Sequence, residues 1–204
     1  MLTLPVHTLV EVVAGDLLAG PESTVVNGVS IDTRSLDPGA AFIAFKGERV
    51  DGHAYVADAL RMGARAVVVS EWDDSIREAV DSLGAHDAAV VLVEDPVDAL
   101  QRLAEHHRSR LHAPVIGVTG STGKTTTKDM LRAVLGRMLR VVATEGNQNN
   151  ELGVPLTILR TGVDTEALIV EMAMRGSGEI ARLCEIARPT IGLVTNVGET
   201  HMEL

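Results

Sequence analysis

The run Gly117-Val118-Thr119-Gly120-Ser121-Thr122-Gly123-Lys124-Thr125-Thr126 has the residue types that a polyphosphate needs. It separates an apolar, strand-like stretch from a helix-like one. Glycines let the backbone turn tightly and aim N–H groups inward. Those amides and a helix N-terminus favour an anion. Lys124 adds a mobile positive charge for β- and γ-phosphates, and the Thr125 hydroxyl is placed to ligate Mg²⁺. The generic phosphate loop, Gly-x-x-x-x-Gly-Lys-Ser/Thr, would put a glycine where this sequence has Val118. The glycines stand at 117, 120 and 123 instead. An ordinary glycine-rich turn with an exposed lysine is the competing reading.

Three further features could join such a loop. Glu171 closes the apolar stretch Leu168-Ile169-Val170, at the strand end that faces the ligand crevice in parallel α/β sheets. A carboxylate there can hold Mg²⁺, although acids at strand ends also serve as caps or solvated groups. His201 follows the strand-like Thr190–Thr195 and falls at the same edge, where imidazole can ligate a metal or pair with phosphate. The amide-rich Gly146-Asn147-Gln148-Asn149-Asn150-Glu151-Leu152-Gly153-Val154-Pro155 either orients a phosphate or a substrate carboxylate, or caps the helix that follows. The residues alone leave both open.

These groups need a scaffold, and strands alternating with helices supply one. In the second half, strands at 114–118, 168–170 and 190–195 alternate with helices at 124–139 and 178–187. That pattern predicts a mostly parallel sheet. In the first half, 24–31, 41–45, 66–69 and 89–93 read as strands, with helices over 53–62 and from Asp95-Pro96 to about Leu111. Residues 1–112 carry 18 acidic and 9 basic side chains, against 10 and 9 in 113–204. The change places a domain boundary at about residue 112. The expected fold class is α/β: a small N-terminal α/β domain (1–112), then a phosphate-loop, mostly parallel α/β domain (113–204).

Composition narrows the function classes. The 204 residues are 46% hydrophobic and 23% charged, which is ordinary globular composition. Aromatics at 2% and a net charge of −10 argue against nucleic acid as partner. No apolar run approaches the ~20 residues of a membrane span, and no signal peptide is apparent, so a cytoplasmic protein without membrane insertion is expected. The lone Cys184 permits no intrachain disulfide.

Taken together, the motifs resemble the Mur ligases, ATP-dependent amide-forming enzymes of peptidoglycan precursor synthesis. Family loops typically read Gly-x-Thr-Gly-Ser/Thr-x-Gly-Lys-Thr/Ser-Thr/Ser, which accounts for the offset glycines. Asn-x-Asn-Asn-Glu-x-Gly-Val-Pro within 146–155 resembles the branch that adds D-alanyl-D-alanine to UDP-MurNAc-tripeptide. Glu171-Met172, Gly178-Glu179-Ile180 and Thr195-Asn196-Val197-Gly198-x-x-His201 also fit. So do Asp32-Thr33-Arg34, Phe45-Lys46-Gly47-Glu48-Arg49 and Asp51-Gly52-His53. Ala173 departs from the pattern, since many relatives have Gly there.

The resemblance implies the fold, the site and the reaction. The first domain would bind UDP-MurNAc-peptide through Ser30, Thr33, Arg34, Lys46 and Gly47. Residues from 113 would form the first part of the ATP-binding domain, with relatives continuing into the rest of it and a third domain. Gly117, Thr119, Gly120, Ser121, Thr122, Gly123, Lys124, Thr125 and Thr126 would surround ATP, with Asn149 or Asn150 near the γ-phosphate. Mg²⁺ would sit among Thr125, Glu171 and His201, and Lys124, Glu171 and His201 would carry the chemistry. The reaction would pass through an acyl phosphate, in a protein expected to be a monomer. Other readings are another Mur or folylpolyglutamate-type ligase, a phosphate-loop kinase or GTPase, and a non-catalytic nucleotide- or UDP-sugar-binding module.

Overall fold

The computed structural model describes residues 1–47, 50–82 and 87–198. The chain divides into two units, Met1–Leu103 and Ala104–Leu204. The first contains β1 (Thr3–Pro5), α1 (Val6–Val13), β2 (Asp16–Ala19), β3 (Val25–Asn27), β4 (Val29–Ser30), β5 (Ala41–Ile43), α2 (Val56–Arg61), β6 (Ala66–Val69), α3 (Asp74–Ser82) and β7 (Ala89–Leu92). Five strands form one sheet in the order β2-β7-β6-β5-β4, and β1 pairs with β3 in a second. The strands from β7 to β4 run parallel, whereas β2 is antiparallel to β7. The run Ala66-Val67-Val68-Val69 is fully buried, as an apolar β-branched strand covered on both faces should be. Phe42, Val67 and Val90 pack against Val56, Ala59 and Leu60 of α2 and Ile76 and Val80 of α3.

Two local readings of the first unit change. The stretch 24–31 is two strands, not one. Gly28 breaks it with φ +91°, so that β3 joins β1 and β4 joins β5. A Cβ there would also lie 2.9 Å from the Met1 sulfur. The helix read over 53–62 opens as a 3₁₀ turn, Gly52–Tyr55, capped by the Asp51 carboxylate. Only Val56–Arg61 is α-helical.

The helix α4 (Pro96–Ser109) carries the chain into the second unit. Asp95 caps it through the Val97 amide at 2.8 Å, and Pro96 takes the first position. Its last turn bonds into the second unit: His107 Nε2 lies 2.9 Å from the Thr161 carbonyl, and Arg108 Nε donates to the Ala187 carbonyl at 2.7 Å. The structural division therefore falls within α4, ahead of the charge change at residue 112.

The second unit is built on β8 (Val115–Thr119), α5 (Lys124–Leu135), β9 (Val141–Ala143), α6 (Gly153–Leu159), β10 (Ala167–Glu171), α7 (Glu179–Ala187) and β11 (Ile191–Val194). The strands form a parallel sheet in the order β11-β8-β10-β9. Ile116, Val118, Ala143 and Ile169 make its core under Leu131 and Leu135 of α5. Each buried branched side chain contributes roughly 1.5–3 kcal/mol. Register sets the chemistry: Glu171 lies opposite Val118, and Val194 opposite Thr119. The carboxylate, the glycine-rich loop and the segment after β11 thus leave the sheet along one edge.

Candidate functional site

The loop between β8 and α5 is shaped by what its glycines allow. Gly120 has φ +136°, and a Cβ on it would fall 2.1 Å from Thr195 Oγ1. No side chain fits there. Lys124 opens α5, and its ammonium donates to the Gly120 carbonyl at 2.7 Å and the Ser121 carbonyl at 3.4 Å. The charge is thereby held over the loop. The first-turn amides of α5 have no intrahelical acceptor and point the same way.

Beside the loop, Glu171 is 1% exposed. Its Oε1 accepts from Thr125 Oγ1 at 3.2 Å and Asn149 Nδ2 at 2.8 Å. Its Oε2 is buried with no hydrogen-bond partner among the described residues. No lysine or arginine pairs with it among those residues. A buried carboxylate without a counter-ion is costly unless something cationic joins it. The donors here are a carboxylate and a hydroxyl, hard oxygens suited to Mg²⁺. The residues fit that ion. Among the described residues no cluster of three His, Cys, Asp or Glu side chains offers a different kind of metal site.

The amide-rich loop divides its labour. Asn149 reaches the carboxylate, and its carbonyl accepts from the Ala173 amide at 2.9 Å. Asn150 instead caps α6, accepting from the Gly153 amide at 3.0 Å. The capping reading thus holds for Asn150, whereas Asn149 meets the protein's own carboxylate at Glu171. The Ala173 departure is harmless to the backbone: among the described residues, only Ala14 and Arg188 are non-glycines with positive φ.

Not every expected loop residue reaches the edge. Gly117 lies inside β8, where a Cβ would press on Pro189 at 3.2 Å, so its role is packing. The Thr122 amide is taken by Asn196 Oδ1 at 3.0 Å, and the Ser121 amide by the Asn196 carbonyl at 3.2 Å. Thr126 is exposed on α5. Thr119, Gly120, Ser121 and Lys124 line a cleft of about 630 Å³, with Ala173–Gly178, Ile180, Val194 and 196–198 around it. His201 lies outside the described residues.

Sequence reasoning missed the brace behind the loop. Thr195 Oγ1 donates to the Thr122 carbonyl at 2.6 Å, and the Ser121 hydroxyl to the Gly198 carbonyl at 3.0 Å. The signal lies in Thr195-Asn196-Val197-Gly198, whose hydroxyl and amide side chains are suited to bracing a neighbouring loop.

In the first unit, the candidates collect at the C-terminal edge of adjacent parallel strands. Ser30 ends β4, and its hydroxyl donates to the Asp32 carbonyl at 2.8 Å. Asp32 caps the turn Thr33–Ser35 and grips Arg34, with Nη2 to Oδ2 at 2.6 Å. This contact to Arg34 holds the Asp32 carboxyl below its ordinary range. Lys46 follows β5 and pairs with Glu71, which follows β6, at 2.8 Å. The Gly47 amide is tied to the Val50 carbonyl at 3.0 Å. Both cations are thus matched by exposed carboxylates. Such solvent-screened pairs contribute little and are little obstacle to a polyanionic ligand.

Residues 25–108 match the family profile "Mur ligase family, catalytic domain", and residues 118–204 match "Mur ligase middle domain". The UDP-N-acetylmuramoyl-tripeptide–D-alanyl-D-alanine ligase of Bacillus subtilis is 45% identical over 205 residues, covering 100% of this chain and 43% of the relative. The Synechocystis sp. ligase of the same name is 48% identical over 183 residues, covering 90% of this chain and 38% of that one. The crystal structure of MurF from Acinetobacter baumannii superposes with a TM-score of 0.85 at 30% identity, over 99% of this chain and 43% of its own. The Thermotoga maritima MurF ligase in complex with ADP gives 0.73 at 38% identity, over 88% and 39%. The chain spans less than half the length of these relatives.

Proposed function

The chain belongs to the Mur ligase family, and we propose that it is the UDP-substrate- and nucleotide-binding part of a ligase joining D-alanyl-D-alanine to UDP-MurNAc-tripeptide at the expense of ATP, in peptidoglycan precursor synthesis. The observation that carries the reading is the pairing of Thr125 with Glu171 at 3.2 Å beside a lysine-capped glycine loop. The similarity to ligases of that name supports the choice of substrates.

The reaction must bring two anions together. The terminal carboxylate of the peptide attacks the γ-phosphorus of ATP, ADP departs, and an acyl phosphate results. The amine of D-alanyl-D-alanine then attacks the acyl carbon and releases phosphate. Lys124 and the first-turn amides of α5 offset the repulsion and stabilise charge on the transferring phosphoryl. Thr125 and Glu171 would hold Mg²⁺, with His201 as a further ligand outside the described residues. When bound, the ion supplies Lewis-acid neutralisation of phosphate oxygens. Asn149 fixes the rotamer of Glu171. Arg34 and Lys46, at the edge of the first sheet, would meet the UDP phosphates. No helix among the described residues is long and apolar enough to cross a membrane. The reaction draws on water-soluble nucleotides, and we place it in the cytoplasm.

The test is amide formation by the full-length protein, with ATP, UDP-MurNAc-tripeptide and D-alanyl-D-alanine. Stoichiometric ADP, phosphate and UDP-MurNAc-pentapeptide are expected. Turnover with a different amino acid and none with D-alanyl-D-alanine would reassign the protein to another branch of the family. Nucleotide binding without amide formation would reduce it to a binding module.

A further inference from the structure

Lys128 lies one helical turn beyond Lys124 on α5, yet it is 3% exposed. A buried ammonium demands compensation, because taking its charge out of water is costly. Its one charged partner among the described residues is Asp129 at 3.2 Å, whose own side chain is 61% exposed. The other partner is the backbone carbonyl of Thr144, at 3.0 Å. Lysine is a poor choice for filling a core, so the contact to Thr144 needs a reason.

Thr144 supplies it. This residue is fully buried just past β9, and all three of its polar groups are engaged. Its amide donates to the Ile169 carbonyl at 3.0 Å, its carbonyl accepts from Lys128, and its hydroxyl accepts from the Glu171 amide at 3.0 Å. The chain then runs on to Asn149, whose amide donates to the Glu171 carboxylate. Thr125 belongs to α5, and Glu171 belongs to β10. Lys128 and Thr144 therefore form a buried two-bond bridge between the elements that present the two candidate cation ligands. We propose that Lys128 and Thr144 are positioning residues that set the spacing of Thr125 and Glu171, and hence the affinity of the nucleotide-linked divalent cation site. This rests on the reading of the site given above, but concerns residues that touch neither nucleotide nor metal.

Side chains that orient metal ligands typically change metal affinity 10–100-fold when removed. The test is a Mn²⁺ titration of the full-length protein with ADP, followed by electron paramagnetic resonance, beside a Mg²⁺ titration of activity. Lys128→Met should weaken the cation at least roughly tenfold. Thr144→Val, which keeps the carbonyl but loses the hydroxyl, should weaken it in the same sense. Thr144→Ser should restore it, and Lys128→Arg, which keeps the donor and charge, should recover part of it. Metal-free ADP affinity should change little. Unchanged Mn²⁺ affinity in Lys128→Met and Thr144→Val, with only a lower thermal midpoint, would overturn the inference and leave both as packing residues. If the unsubstituted protein bound no nucleotide-linked Mn²⁺ at all, the functional reading itself would fall, and this inference with it.

Discussion

Thr125 Oγ1 and Glu171 Oε1 stand 3.2 Å apart although 46 residues separate them in the chain. The parallel pairing of β10 with β8 makes this contact, because it sets Glu171 opposite Val118, just before the loop turns into α5. Glu171 pays for the arrangement with a buried oxygen that has no hydrogen-bond partner among the described residues. Function and stability should therefore move in opposite directions when the charge is removed. Glu171→Gln should raise the Mg²⁺ needed for half-maximal turnover at least roughly tenfold. Without metal, the same variant should be as stable as the parent or more so, because a desolvated charge has gone. Paired Mg²⁺ titrations and metal-free melting curves decide. An unchanged Mg²⁺ requirement would remove Glu171 from the site.

Lys124→Ala tests the loop itself. The ammonium rests on carbonyls of its own loop, at Gly120 and Ser121, so the fold loses little with it. Transition-state stabilisation should suffer far more. A loss on the order of 10²–10³ in the rate of ADP formation is expected, as for removal of a donor aimed at developing charge. Wild-type-like phosphoryl transfer would exclude the role assigned here.

How much of this was legible in the sequence follows from how local each signal is. The loop could be read because it encodes its own backbone: glycine where no Cβ fits, lysine at the helix start. Glu171 could be read because an apolar run announces its strand. The split at Gly28 could not, since β-branched residues advertise extended structure but not the strand they will pair with. Nor could the different duties of Asn149 and Asn150, which depend on where β10 ends. The pairing of Lys46 with Glu71 spans 25 residues, and the bracing of Thr122 by Asn196 spans 74. Such contacts exist only once the sheet has assembled.

Gly120→Ala probes that brace. With φ +136° and a Cβ 2.1 Å from Thr195 Oγ1, the substitution must displace either the loop or the segment after β11. Backbone strain of this kind costs about 1–3 kcal/mol. A lower thermal midpoint and loss of ADP binding are both expected by calorimetry. Parental values for both would mean that the loop is not held by Thr195.

Arg34→Ala addresses the first unit. The Arg34–Asp32 pair is exposed, so its loss should leave the melting temperature almost unchanged. A charge-assisted contact to a UDP phosphate would be worth roughly tenfold or more in affinity. Binding of UDP-MurNAc-tripeptide should weaken by that factor while ADP binding stays the same. Equal affinity for the UDP substrate would show that the guanidinium serves only Asp32.

The last turn of α4 offers a pH test that is independent of the site. His107 is buried against Thr161, and desolvation pushes its pKa below the ordinary 6.5. The same holds, by burial, for His106. A histidine kept neutral in the fold takes up a proton more readily when unfolded. The unfolded chain therefore binds more protons below about pH 6.5, and stability falls as the pH drops through and below that value. Above it, both states are neutral and the contribution is constant. His107→Gln retains a donor for the Thr161 carbonyl but cannot titrate. Its melting temperature should fall less between pH 7.5 and 5.5 than that of the parent, with a residual slope from His106. An identical pH dependence in parent and variant would show that His107 does not carry this linkage.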